Sequence, residues 1–433
     1  MKRNDPGSLP SPVANCTVTV DREYVRGDVG GRRHIRLALQ AARAPAGRVR
    51  PPLRLAFVVD RSGSMAGAPL ALAGRAVCEA VALLDAGDAF ALVTFESDCE
   101  VAMSFGPASD ERKREALQRC QALATGGSTN LSGGWAEGCA QVAGAAGDAL
   151  ARVLVLTDGQ ANVGETRPAT LCEHARVLRR KGVATSCLGL GAGFNESLLS
   201  AMADAGGGRF YFAERPEELT EHMRAEVLEG LDVVGRGVAV EVRPHDRGRV
   251  EVLGGLESAW TGHALRVELG DLVSQQSLDA VFSVLLPPGA VGEARAFDVS
   301  VLDGEGRPCA PVQTVRFVYA PGEVVDRQPR ELAVDRRVAR YYANDARLAA
   351  VVLNREGRYA EAAARLFGVA GRVASYAGSD PELNAIVGEM RASADEFGRP
   401  VQEINLKHAH TAAHFGNRSK TARGRSTRDD GDV

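Results

Sequence analysis

The sequence predicts an α/β protein in which a doubly wound, mainly parallel-sheet unit is inserted in an antiparallel β-sandwich and followed by a small helical domain. Three observations predict this. Between residues 50 and 232, short apolar runs suited to buried strands alternate with stretches whose apolar residues recur at steps of three and four. At 15–42 and again at 233–322, apolar and polar side chains alternate in short runs spaced by Gly and Pro. Past Pro329 the period is helical.

Composition sets the bounds. A chain of 433 residues is too long for one core, so two or three domains are expected. Hydrophobic content of 45% and charged content of 25% fit a soluble globular chain, and a net charge of −3 argues against nucleic acid or an anionic membrane as the partner. No run approaches the ~18 apolar residues of a membrane span. Met1 to Asn15 is polar, without the apolar core of a signal peptide, and a flexible N-terminus is expected over 1–14. The eight cysteines form no C-x-x-C pair, which gives neither a zinc ribbon nor a redox motif and predicts buried, reduced thiols in a cytoplasmic protein. Arginine far outnumbers lysine, and Ala and Gly abound, as in chains from GC-rich bacterial genomes.

Taken in order, 16–20 and 34–39 alternate as half-buried strands, joined through Arg26-Gly27-Asp28, which reads as a turn. Two strands form no stable unit alone, so they are expected to complete the later sandwich. Pro45, Gly47, Pro51 and Pro52 mark a linker. The inserted unit opens with the strand Leu55–Val59. A helix follows, with Pro69 in its first turn and Leu70, Ala73, Val77, Val81 and Leu84 on one face. Strands at 89–95, 99–104, 154–157, 183–190 and 208–213 alternate with helices through 110–123, Trp135, 168–181, 196–204 and 217–231. Sandwich strands follow at 238–242, 250–253, 264–269, 278–286, 296–302 and 312–318. Helices are expected at 331–353, 359–374 and 381–397 within a helical hairpin domain, 328–397. Leu366 and Val373 lie on an apolar face that is expected to pack internally. The stretch 398–433 is thinly apolar and basic, and disorder is expected.

The chemistry concentrates in three places. Asp60-Arg61-Ser62-Gly63-Ser64 ends the first buried strand; Thr125-Gly126-Gly127-Ser128-Thr129 is a glycine-rich loop before a helix; Thr157-Asp158-Gly159 ends another buried strand. Ligand sites in open α/β sheets lie beyond the carboxyl ends of the strands, and hard oxygen donors there suit a small divalent cation. The alternative is an Asp capping a helix beside two turn serines.

The pattern Asp-x-Ser-x-Ser, a distant Thr and a distant Asp resembles the von Willebrand factor A (VWA) domain with its metal-ion-dependent adhesion site, in an intracellular bacterial type of protein. Gly189-Leu190-Gly191 and Gly207-Gly208-Arg209-Phe210-Tyr211-Phe212 extend the likeness over about residues 53–230. The resemblance implies that Ser62, Ser64 and Thr129 give hydroxyl oxygens to Mg²⁺ (Mn²⁺ or Ca²⁺ as alternatives). Asp60 and Asp158 would hold metal waters or bind directly. Neutral hydroxyl ligands leave the cation positive, and a partner protein's Asp or Glu would supply the missing ligand. Removing Asp60 is then expected to relieve its repulsion with Asp158 and cost no metal-free stability.

No histidine lies in the three motif stretches to serve as a base, so a non-catalytic interaction module (a scaffold or adaptor) is expected rather than an enzyme. A metal-dependent phosphohydrolase and a regulatory subunit of an ATP-driven machine are the alternatives. Phe194 stands where the third glycine of a dinucleotide fingerprint would fall. His408, His410 and His414 and the later Arg423, Arg425 and Arg428 are read as a solvated basic segment.

Overall fold

The computed structural model describes residues 11–45, 50–144, 149–191, 193–215, 217–246, 248–419 and 427. Most of the expected flexible N-terminus, and Arg423, Arg425 and Arg428, lie outside the described residues.

The chain opens with β1 (Val13–Val20), β2 (Tyr24–Arg26) and β3 (Gly31–Ala41). The inserted unit follows: β4 (Leu53–Asp60), α1 (Ala68–Ala82), β5 (Ala89–Phe95), β6 (Cys99–Pro107), α2 (Asp110–Gln121), α3 (Leu131–Ala143) and β7 (Leu150–Thr157). It continues with α4 (Pro168–Arg180), β8 (Val183–Leu190), α5 (Glu196–Ala205), β9 (Gly207–Ala213) and α6 (Glu218–Leu231). Its sheet has the order β6-β5-β4-β7-β8-β9, with only β6 antiparallel to its neighbour. The central strands β4 and β7 carry unbroken apolar runs because helices cover both faces.

Then come β10 (Val233–Pro244), β11 (Arg249–Val252), β12 (Ser258–Thr261), β13 (Ala264–Val273), β14 (Ser277–Leu286), β15 (Ala294–Leu302) and β16 (Gln313–Ala320). These pair with the N-terminal strands in two sheets, β1-β3-β14-β11 and β12-β13-β10-β15-β16-β2. β3 runs antiparallel to β14 from Gln40↔Ser277 to Gly31↔Leu286. Ile35, Leu37 and Leu39 meet Val240, Phe282, Phe297 and Phe317 in one shared core. The sandwich is thus built from both sides of the insertion. β2 and β12 were not foreseen: each is so short that its alternation spans barely one period. Arg26 closes the turn after β2 by pairing with Asp28 at 3.0 Å.

The last part holds α7 (Gly322–Arg327), α8 (Leu332–Arg355), α9 (Tyr359–Ala377), α10 (Pro381–Phe397) and α11 (Glu403–Asn417). Leu366 and Val373 are buried with Ile386 and Met390 between α8, α9 and α10. Tyr341 anchors α8 to the sandwich, its hydroxyl donating to Asp279 O at 2.9 Å.

α11 corrects the expectation of disorder after residue 398, and of a solvated histidine segment. Its few apolar residues suffice because it docks on the inserted unit, where Phe415 joins Phe194 and Phe210. His410 and His414 are buried, and His408 packs edge-on to Phe212 with ring centroids 5.1 Å apart. Burial pushes His410 down to about 4, so it is neutral at physiological pH.

Candidate functional site

Asp60 ends β4, and Thr157-Asp158 ends the adjacent parallel strand β7, so two carboxylates leave the middle of the sheet at its carboxyl edge. Asp60 is fully buried, while Asp158 is half-buried and Ser64 exposed. The donors are chained together. Ser62 N–H donates to Asp60 Oδ1 at 2.8 Å, Ser62 Oγ lies 3.2 Å from Ser64 Oγ, and Ser64 Oγ donates to Asp158 Oδ1 at 2.7 Å. Thr129 enters from the side: a Cβ on Gly159 would sit 3.1 Å from Thr129 Oγ1 and 3.7 Å from Ser64 Oγ, so only glycine leaves this space open.

Backbone hydrogen bonds hold the three loops in register. Arg61 N donates to Phe95 O, Gly126 N to Arg61 O and Gly63 N to Gly127 O, at 2.8, 2.9 and 3.3 Å. Gly127 has φ +35°, and a Cβ there would fall 1.6 Å from Glu96 Oε2, which explains the glycine of the second loop. The third loop grips the second through Asn162, whose Oδ1 accepts from Thr129 N at 2.9 Å and whose N–H donates to Thr129 O at 3.2 Å.

Sequence reasoning missed Asn162, and with it Thr157. The Thr157 hydroxyl is buried and donates to Asp60 Oδ2 at 2.5 Å, while accepting from Gly159 N at 3.1 Å. A threonine just before an Asp-Gly turn, pointing the opposite way from its neighbours, was the available signal.

Electrostatics at this edge favour a cation. Burial holds the Asp60 carboxyl above its ordinary value, against hydrogen bonds from Thr157 and Ser62, and the charge of Asp158 adds to the rise. Burial raises Asp158 too, against the bond from Ser64. The donor set fits a hard divalent ion: the polar side-chain atoms of Asp60, Ser62, Ser64, Thr129 and Asp158 are all oxygens. Among the described residues no three His, Cys, Asp or Glu side chains gather as a metal cage, so an ion here would rest on two carboxylates and on hydroxyls.

Residues 55–225 match the family described as von Willebrand factor type A domain. The chain is 28% identical over 195 residues to the uncharacterized protein YfbK of Escherichia coli (strain K12), covering 44% of this chain and 34% of that protein. It is 30% identical over 167 residues to the human inter-alpha-trypsin inhibitor heavy chain H3, covering 37% of this chain and 19% of that one. These curated relatives are therefore matched over about a third of their length or less. Two solved structures share the fold across nearly the whole chain. The structure of von Willebrand factor type A from Catenulispora acidiphila has a TM-score of 0.72 at 17% identity, covering 96% of this chain and 98% of that one. The ArnB paralog VWA2 from Sulfolobus acidocaldarius has 0.60 at 15%, covering 94% and 99%.

Proposed function

We propose that this VWA-domain protein is a non-catalytic interaction module that binds a carboxylate of a protein partner through a divalent cation. Asp60, Ser62, Ser64, Thr129 and Asp158 would hold the ion, Mg²⁺ foremost. The observation that carries the reading is the oxygen-only cluster at the end of β4 and β7, tied from buried Asp60 to exposed Ser64. Five protein oxygens leave one of the six positions of Mg²⁺ open, and with Asp60 and Asp158 acting through metal-bound waters the hydroxyl-bound ion would keep positive character there. An Asp or Glu from outside supplies both a ligand and a charge.

This chain's own residues do the positioning. Thr157 and Ser62 N–H hold the Asp60 carboxylate by both oxygens. Asn162 fixes the backbone of Thr129 from both sides. Gly159 keeps the space between Thr129 and Ser64 clear. The cytoplasm is the proposed setting, where the buried cysteines 139, 172 and 187 stay as thiols.

Isothermal titration calorimetry with Mg²⁺ on wild type and Asp60→Ala tests the metal. Heat of binding in wild type and none in the variant is expected; equal heats would overturn the site. Affinity capture from a lysate with and without EDTA tests the role of the metal in recognition, which a partner retained equally in EDTA would remove.

A further inference from the structure

We propose that Cys78 and Cys120 form a reversible disulfide across the groove between α1 and α2. The groove has a volume of about 1040 Å³ and is lined by Leu70, Cys78, Lys113, Leu117 and Cys120 among others. The helices meet at Gly74, where a Cβ would lie 3.1 Å from Cys120 O and 3.3 Å from Cys120 Cβ, so the two backbones are as near as side chains allow. Cys78 stands one turn further along the same face of α1. Its thiol is 3.9 Å from Ala116 O, one turn before Cys120 on α2, and both cysteines line the same groove. A disulfide needs such close helices, because it spans only about 4.4–6.8 Å between Cα atoms. Of the remaining cysteines, Cys139, Cys172 and Cys187 share one core on other elements, where burial raises all three thiols.

The groove also gives access. Cys78 is half-buried and Leu117 exposed, so a small oxidant reaches the pair from solvent. The roles within the pair are unequal. Cys78 is half-buried at the groove and Cys120 is buried behind it, and the neighbouring Cys120 holds the Cys78 thiol below its ordinary value. Cys78 is thus the attacking sulfur and Cys120 the resolving one. With a peroxide as oxidant, the Cys78 thiolate attacks one peroxide oxygen. The O–O bond breaks, a sulfenic acid forms and the first water leaves. The Cys120 sulfur then attacks the Cys78 sulfur, the S–S bond forms and the second water departs. Two thiols supply the two electrons and two protons that convert one peroxide into two waters.

The bridge would tie α1, which leaves the Ser62–Ser64 loop, to α2, which leads into the Thr129 loop. That link to the metal loops rests on the function proposed above, whereas the bridge itself does not, and the test reads only the bridge. Full-length reduced protein is treated with about one equivalent of hydrogen peroxide, alkylated and mapped by mass spectrometry after non-reducing digestion. Loss of two of the eight thiols in one cross-linked peptide pair joining Cys78 to Cys120, restored by dithiothreitol, is the expected result. In Cys120→Ser, dimedone should label Cys78; in Cys78→Ser, Cys120 should stay reduced. The proposal is overturned if wild-type Cys78 and Cys120 remain alkylatable while exposed Cys99 takes the oxidant, or if Cys120 oxidises equally without Cys78.

Discussion

Lys407 Nζ of α11 lies 2.7 Å from Glu196 Oε2 of α5, with both side chains about 2% exposed. Arg355 of α8 meets the other carboxylate oxygen at 2.5 Å. One glutamate of the inserted unit therefore pins two helices of the C-terminal part. Removing one partner of a buried pair costs about 3–5 kcal/mol, so Lys407→Met should destabilise the protein by an amount of that order, read by chemical denaturation.

The same carboxylate predicts an acid dependence. Burial would push Glu196 up, but Arg355 and Lys407 outweigh it and hold the carboxyl at about 2, below its ordinary 4.5. A carboxyl lowered by folding contributes its full stabilisation above the unfolded value and loses it as pH falls toward the folded one. Wild type should therefore lose stability between pH 4.5 and 2 more steeply than Glu196→Gln, in which this group no longer titrates. Thermal melts across that range provide the check.

At the metal site, a hundredfold excess of Mg²⁺ over its dissociation constant should stabilise wild type by about 2.7 kcal/mol, and Asp60→Ala should abolish that increment. Asp60 accepts from Thr157 and Ser62, so the expectation that the metal-free variant loses no stability does not fit the structure. Two buried donors would be left without an acceptor, at roughly 1–3 kcal/mol each. Asp60→Asn keeps an acceptor and should lose the metal increment while retaining most metal-free stability. Asp60 and Asp158 are both raised by burial, so metal-free stability should decline as pH rises through their folded values, and Mg²⁺ should reverse the decline. Melts with Mg²⁺ or EDTA at several pH values separate these effects.

Gly127→Ala should disturb the site from one shell out. Its φ of +35° strains any residue with a Cβ, and the added methyl displaces the Ser97 hydroxyl that accepts from Ser128 N beside Thr129. Backbone strain of about 1–3 kcal/mol is expected, with roughly tenfold weaker Mg²⁺ binding by calorimetry. Gly67→Ala is the control: its φ is +82° but nothing lies within 4 Å of the added Cβ, so it pays for backbone strain without displacing the Ser97 hydroxyl.

In the helical part, Leu366→Ala should cost about 2–5 kcal/mol by denaturant unfolding, because Leu366 is fully enclosed. The next residue, Phe367, is 46% exposed, and its replacement by Ala should change stability by about 0.5 kcal/mol or less.

The parts of the fold and site that were readable are those whose chemistry is local. Asp60, Ser62 and Ser64 follow an apolar run within five positions, and Thr129 and Asp158 each sit in a loop signature of their own. The host strands 16–20 and 34–39 were legible as strands, and their lack of nearby partners pointed to the sandwich. What escaped depends on distant partners. Lys407 reads as a solvated charge until Glu196, in another part of the chain, is brought against it. His414 likewise gains its place from distant groups, Phe210 with ring centroids 5.7 Å apart and Asp204 at 3.7 Å. Thr157 is an ordinary strand residue until the register of β4 and β7 sets its hydroxyl on Asp60.

The pairing of β3 with β14 also orders events during synthesis. Ala41 ends β3, and its sheet neighbour begins only at Ser277, so the whole inserted unit leaves the ribosome first. At about 5–20 residues per second that wait is roughly ten to fifty seconds, ample for the inserted unit to form its own core. Throughout it, β1 and β3 remain a two-stranded ribbon whose Ile35, Leu37 and Leu39 face no partner. The segment from β1 to β3 is thus the part most exposed to aggregation during synthesis, and a chaperone that holds it would protect the host sandwich more than one acting on the insert.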